Sequence, residues 1–152
     1  MERVILCIGS NIEPEKHIEE VKEKVKQIPK TTGWLFSTYY YSLPDSFTSD
    51  NVFINVAAYC ETELTPQEFL EEIHKVEEEM GRVRDPNRRY MDRVIDIDII
   101  FWGNSKINEK DLVIPHPKWK ERHFILNPIK QLVSEHKFIK NYFNYLKGKS
   151  ED

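Results

Sequence analysis

The segment Val94–Trp102, VIDIDIIFW, constrains the fold more than any other part of the chain. Its β-branched and aromatic content marks a strand, and side chains on a strand alternate between its two faces. Ile95, Ile97 and Ile99 therefore share one face, while Asp96 and Asp98 share the other, about 7 Å apart at Cα. A sheet built on this strand must bury its isoleucine side against helices. Its other side must accommodate two carboxylates, although Asp is depleted in strands. A buried carboxylate without compensation costs several kcal/mol or takes up a proton.

The elements that lead to this strand can be read in order. Arg3–Ile8 is a short apolar, β-branched run ending in the turn Gly9-Ser10-Asn11. Ile18, Val21, Val25 and Ile28 recur at helical spacing, with Pro14 suited to a first turn and Pro29 and Gly33 closing the helix. Trp34–Tyr41 predicts a strand, Pro44–Asn51 a loop, and Phe53–Thr62 a further strand. Thr65-Pro66-Gln67-Glu68 is a capping box with proline at the first helical position. Leu70, Ile73, Val76 and Met80 supply the apolar stripe of that helix, and Gly81 a left-handed stop. Strand, helix, strand, strand, helix, strand is the order of an α+β, ferredoxin-like βαββαβ sandwich. The expectation is an antiparallel sheet with helices on one face. The Lys-rich tail from Asn104 to Asp152 adds peripheral C-terminal elements.

The chain of 152 residues reads as a single domain over 1–152, large enough to bury a core. A net charge of −4 argues against a general nucleic-acid surface. The apolar N-terminal run is far shorter than a membrane span or a signal segment, so no membrane partner is expected. Cys7 and Cys60 lie in apolar runs without metal-ligand spacing and read as buried, reduced thiols. A cytoplasmic location is the resulting expectation.

Two like charges as close as Asp96 and Asp98 repel unless a cation lies between them. Paired carboxylates suit Mg²⁺, which keeps waters and takes further ligands from phosphate oxygens. The bland alternative is that both merely solvate an exposed sheet face. The preceding stretch RVRDPNRRYMDR tips the balance, because it sets five arginines against two aspartates. The guanidinium fork matches phosphate oxygens, so acids and arginines together favour a nucleoside triphosphate site. No Walker-type glycine loop or kinase signature is present. A third cluster, Ile114–Phe124, holds His116 between Pro115 and Pro117, with Arg122 following. Phe53 and Asn55 share one strand face, a flat aromatic beside an amide that both donates and accepts. Core packing is the plainer explanation for Phe53 taken alone.

Taken together, the blocks IGSN (Ile8–Asn11), FINVAAYCETELTPQEFL, GRVR with RVIDIDIIFWG, and LVIPHPKWKERHFILNPI resemble the 6-hydroxymethyl-7,8-dihydropterin pyrophosphokinases of folate biosynthesis. The resemblance covers residues 3–130 and implies a ferredoxin-like fold. It further implies transfer of pyrophosphate from ATP to the pterin hydroxymethyl group, with release of AMP and use of two Mg²⁺. By this resemblance Asp96 and Asp98 hold the metal ions, and Arg82 and Arg93 belong to a catalytic loop that touches the phosphates. Arg84, Tyr90, His116 and Arg122 bind the nucleotide, with Leu70, His74, Glu77 and Ile99 around the adenosine. Phe53 and Phe124 sandwich the pterin, Asn55 binds its pyrimidine edge, and Ser42 and Pro44 lie nearby. Three stretches depart from the family pattern. Arg89-Tyr90-Met91-Asp92-Arg93 replaces the usual Arg-Trp-Gly-Pro-Arg, Ser42–Phe47 lacks Pro-Leu-Gly, and His74 stands where Gln is common.

Three rival readings share parts of this pattern. A degenerate relative would bind ATP or pterin without turnover. A ferredoxin-like RNA-binding module would expose aromatics on a basic sheet face, where two carboxylates would instead repel a phosphate chain. A Mg²⁺-dependent nucleotidyltransferase would use another acceptor. Small-molecule substrates, no nucleic acid, and a monomer or weak homo-oligomer are the expected partners and state.

Overall fold

Two apolar runs with almost no polar interruption, Val4–Ile8 and Ile54–Cys60, become the central strands of the sheet. The computed structural model describes residues 1–43, 52–81 and 94–147. Within them the strands are β1 (Glu2–Ser10), β2 (Thr31–Phe36), β3 (Tyr40–Ser42), β4 (Phe53–Thr62) and β5 (Asp96–Trp102). A hairpin of β6 (Ile107–Glu109) and β7 (Leu112–Ile114) stands apart. The helices are α1 (Pro14–Val25), α2 (Pro66–Glu79) and α3 (His123–Glu135), followed by two 3₁₀ turns, Lys137–Tyr142 and Asn144–Leu146. Sheet order is β2-β4-β1-β5 with every pairing antiparallel, and β3 continues the edge along β4. This is the arrangement that the βαββαβ order predicts. The loop expected over 44–51 and the arginine-rich stretch 82–93 lie outside the described residues.

Local chemistry explains where the elements begin and end. The Thr65 hydroxyl accepts the Glu68 amide at 3.1 Å, and the Glu68 carboxylate accepts the Thr65 amide at 2.9 Å. The capping box thus satisfies two donors that the first turn of α2 leaves unpaired. Gly81 ends the helix at φ 89°, a left-handed backbone open to glycine at little cost. The strand expected over Trp34–Tyr41 is instead divided into β2 and β3. Ser37 bridges the break, its amide donating to the Ala57 carbonyl (2.9 Å) and its hydroxyl accepting the Ala57 amide (2.8 Å).

On one side of the sheet, Ile18, Val21 and Val25 of α1 and Phe69, Ile73 and Val76 of α2 pack on Val4, Leu6, Ile8, Ile54, Val56, Ile97 and Ile99. The isoleucines of β5 therefore face the helices, as their alternation requires. Phe69, rather than the half-buried Leu70, fills the deepest position on α2.

The tail does more than add peripheral pieces. Ile125, Ile129 and Leu132 of α3, with Ile139 and Phe143 beyond it, cover Ile5, Tyr59, Ile100 and Phe101 on the opposite sheet face. Helices consequently lie on both sides. The outer face that an RNA-binding module would leave open is partly closed. The physical reason is in β1 and β4 themselves, whose runs are apolar on both faces and cannot leave either one wet.

A β-bulge accommodates this second core. Leu6 pairs with Ile99 and Ile5 with Phe101, so Ile100 is an extra residue on β5. The insertion reverses the alternation. Ile100 and Phe101 both join the α3 side, while Trp102 returns to the α1/α2 side. If α3 is part of the core, Leu132→Ala, at a fully buried site, will lower unfolding free energy by about 2–5 kcal/mol in urea titrations. A loss below about 1 kcal/mol would make α3 an accessory.

Candidate active site

Register decides which side chains meet. Tyr40 pairs with Asn55, Asn55 with Gly9, and Gly9 with Asp96, so these four form one row across four strands. The next row joins Ala57, Cys7 and Asp98. All point to the α3 side. Phe53 and Ser42 pair with each other one step further along β4 and β3 and share that side. Gly9 matters because it has no side chain. A Cβ at that position would stand 2.5 Å from the Asn55 Oδ1 atom, so the amide occupies the space a side chain would take. Asn55 is accordingly buried, and only Gly9 separates its strand from that of Asp96.

The segment after β7 is tied to the bulge. The His116 amide donates to the Ile100 carbonyl at 3.0 Å, which carries the imidazole to the acid pair. His116 Nδ1 accepts the Lys118 amide at 3.1 Å, leaving Nε2 as the ring's donor. Burial pushes the imidazole below the ordinary histidine range and the Arg122 cation pushes it the same way, while Asp96 opposes both. His116, Arg122 and Asp96 thus share one electrostatic environment. The Arg122 guanidinium lies 5.9 Å from the centre of the Phe124 ring. Phe124 itself follows at the first turn of α3, and its carbonyl is 3.8 Å from the Cys7 sulfur.

Cys7 lies beneath this site. Its sulfur is 4.0 Å from Asn55 Oδ1, and it is buried. Burial, with the nearby Asp98 and Asp96 charges, holds the thiol well above its usual range, so it remains a protonated donor rather than a nucleophile.

A second group lies on the other side of β5. Leu70, His74 and Glu77 recur along one stripe of α2. Glu77 is only 1% exposed, and its Oε2 accepts the Ile97 amide at 2.8 Å. That bond satisfies a β5 backbone donor between the two aspartates and compensates part of the cost of burying a carboxylate. Ile99 is buried on this same side. Of the residues singled out from the sequence, Ser42, Phe53, Asn55, Asp96, Asp98, His116, Arg122 and Phe124 surround the α3 face of the sheet end. Leu70, His74, Glu77 and Ile99 belong to the α2 side of β5. Pro44, Arg82, Arg84, Tyr90 and Arg93 lie outside the described residues. Gly9, Cys7 and Tyr40 were not anticipated, because their importance comes from cross-strand register.

The donor set can be tested against a metal. No group of three or more His, Cys, Asp and Glu side chains is arranged as a ligand cage among the described residues. Asp96 and Asp98 are two half-buried carboxylates on one face. They fit a hard cation that completes its shell with water and phosphate oxygens rather than with protein.

Comparison with known proteins shows the family of the chain. The profile of the family described as 7,8-dihydro-6-hydroxymethylpterin-pyrophosphokinase matches residues 5–134. A Haemophilus influenzae 2-amino-4-hydroxy-6-hydroxymethyldihydropteridine pyrophosphokinase is 32% identical over 131 residues, 86% of this chain and 81% of that protein. The Lactococcus lactis bifunctional protein FolKE is 37% identical over 135 residues, 88% of this chain but only 38% of that protein. A crystal structure of Plasmodium falciparum HPPK-DHPS superposes with a TM-score of 0.52 at 18% identity, covering 89% of this chain and 40% of that one. That likeness concerns the fold.

The electrostatics at His116 have a direct check. Because burial and Arg122 disfavour its imidazolium, His116 will be neutral at pH 7, and its ring-proton NMR signal will titrate with a midpoint below the usual 6.5. The folded-state value lies below the unfolded one, so the neutral ring's contribution to stability is present above the unfolded pKa. It is lost as pH falls through the folded value. A midpoint at or above 6.5 would contradict this surrounding.

Proposed function

The chain belongs to the 7,8-dihydro-6-hydroxymethylpterin-pyrophosphokinase family, and from that premise we propose how its residues carry out the reaction. The protein transfers a pyrophosphoryl group from ATP to the hydroxymethyl oxygen of 6-hydroxymethyl-7,8-dihydropterin, in folate biosynthesis. In that step the pterin oxygen forms a bond to the β-phosphorus of ATP. The bond from the β-phosphorus to the bridging oxygen of the α-phosphate breaks, AMP leaves with that oxygen, and the hydroxyl proton goes to solvent.

The observation that carries this reading is the row Asn55–Gly9–Asp96. Two strand spacings, about 10 Å, separate an amide suited to a pterin edge from a carboxylate suited to a metal-bound phosphate. An acceptor stacked between Phe53 and Phe124 would present its hydroxymethyl group toward the acid pair. Asp96 and Asp98 would hold Mg²⁺, two ions by analogy with the family, and the metal would neutralise triphosphate charge in an in-line displacement. His116 donates from Nε2 and Arg122 from its guanidinium to phosphate oxygens. Arg82 and Arg93 contact the phosphates as catalytic residues, and Arg84 and Tyr90 contact the nucleotide. Leu70, His74, Glu77 and Ile99 define the adenosine side. Since Glu77 and Ile99 are buried, their contribution there is to shape the β5 edge. Ser42 and Pro44 border the pterin. Because most of these groups bind and orient, positioning supplies most of the acceleration.

A single domain over 1–152, a cytoplasmic location and a monomer or weak homo-oligomer complete the proposal. No helix among the described residues is long and apolar enough to cross a membrane.

Incubation with ATP, Mg²⁺ and the hydroxymethyl pterin will yield AMP in step with pterin diphosphate. ADP as the product would move the attack to the γ-phosphorus and overturn the mechanism, while binding without turnover would make the chain a degenerate relative. Asp96→Asn will reduce kcat by about 100-fold or more, since even outer-shell changes at metal sites cost 10–100-fold. Unaltered activity would remove the metal role. Gly9→Ala will push the Asn55 amide aside and raise the pterin KM by about tenfold, the scale of one or two lost hydrogen bonds. The ATP KM should stay near its original value, and an equal rise in both would point to general disruption.

A further inference from the structure

The first turn of α3 carries Phe124, follows Arg122, and is poorly equipped to hold itself. Arg122 at the N-cap makes no side-chain capping hydrogen bond, and no acidic residue lies in the first turn. The Arg122 carbonyl accepts the Ile125 and Leu126 amides at 2.9 and 3.0 Å, so what this end lacks is a side-chain cap and a charge to offset the dipole. Pro128 lies inside the helix. Having no N–H, it cannot donate to the carbonyl four residues earlier, which is that of Phe124. The aromatic that faces the sheet is thus borne by a turn that lacks a cap at one end and a ladder bond behind it.

The sheet supplies what the helix lacks. The Tyr40 hydroxyl is 2.8 Å from His123 Nδ1 and accepts the Asn127 side-chain amide at 3.2 Å. With the amide donating, the hydroxyl proton is free for the imidazole, so one hydroxyl joins two residues one turn apart. The Tyr40 and His123 rings also meet edge to face at 5.7 Å, and His123 meets Phe124 at 5.5 Å. From the neighbouring row, the Cys7 thiol reaches the Phe124 carbonyl that Pro128 leaves unpaired. Further along the helix, Gln131 Oε1 accepts the Thr38 amide at 2.8 Å.

We propose that Tyr40 is a positioning residue. Its hydroxyl clamps the first turn of α3 to the sheet through His123 and Asn127, and so sets the gap in which Phe124 closes over Asn55 and Phe53. This rests on the pyrophosphokinase reading for the identity of the ligand, a planar pterin, but not for the clamp itself. Tyr40 acts through the two α3 residues its hydroxyl meets, His123 and Asn127. It occupies the same cross-strand row as Asn55 and Asp96, so the row that recognises the substrate is also the one that fixes its lid.

Tyr40→Phe tests this, since it keeps the ring and removes both hydrogen bonds. The expected result is a pterin KM raised by about tenfold, with the ATP KM and kcat at saturating pterin changed less than about twofold. A second substitution, His123→Ala, should give a similar rise, and the double variant should be no worse than the single ones. Full additivity, or equal loss on both substrates, would overturn the clamp. Amide exchange gives a readout independent of turnover. In Tyr40→Phe, exchange at Ile125 and Leu126 should quicken while Leu132 keeps its protection. Uniform loss along α3, or no change, would count against it. Were the unaltered protein to produce no pterin diphosphate, the functional reading would fall, and the exchange pattern would still decide whether Tyr40 holds this turn.

Discussion

The two antiparallel ladders of β1, with β4 on one side and β5 on the other, are what the rest of the structure depends on. Their register places Asn55 opposite Gly9 and Gly9 opposite Asp96. A slip of one residue on either ladder would turn a full set of side chains to the other face. On the β5 ladder the acid pair would then point into the α1/α2 core, and Ile97 and Ile99 toward the α3 side. Because the inner faces of β1, β4 and β5 are packed with aliphatic residues, that slip would expose the core, so apolar burial enforces the register. The chemistry of the site is thereby secured by residues that take no part in it.

Polar groups at this end of the sheet are arranged so that few go unmet. β5 is an edge of the sheet, and its outward backbone groups need partners from elsewhere. Glu77 takes the Ile97 amide, and the His116 amide takes the Ile100 carbonyl. Each bond also brings something to the acid strand: α2 on one side and the His116 imidazole on the other. The bulge at Ile100 is part of the same arrangement. It turns Ile100 and Phe101 together toward α3, which gives the second core its floor directly behind the aspartates.

Much of this was legible from the chain alone, and the reasons differ by element. The order of the ferredoxin-like elements, the Thr65 capping box, the Gly81 stop and the full extent of β4 follow from local rules, and each agrees with the structure. The isoleucine face of β5 follows from alternation as far as Ile99. Beyond it the bulge reverses the phase, and nothing in IIFW announces an extra residue. The division of Trp34–Tyr41 into β2 and β3 depends on Ser37 replacing a ladder bond, which is a tertiary event. The tail was expected to be peripheral, since its short apolar pieces make no strong pattern. The signal lay instead in Val4–Ile8 and Ile54–Cys60, whose unbroken apolar runs require cover on both faces.

The sequence by itself determined the family, the strand that bears Asp96 and Asp98, and the residue types able to hold phosphate and an aromatic substrate. These are properties of spacing within single elements, and a chain's local geometry is the same wherever the element lies. Only the tertiary structure decided that Gly9 yields its space to Asn55, that Cys7 lies beneath Phe124, and that Tyr40 reaches His123. Those relations join residues 46, 117 and 83 positions apart. No periodicity spans such separations; they exist once hydrophobic burial has set the strand register and brought α3 across the sheet.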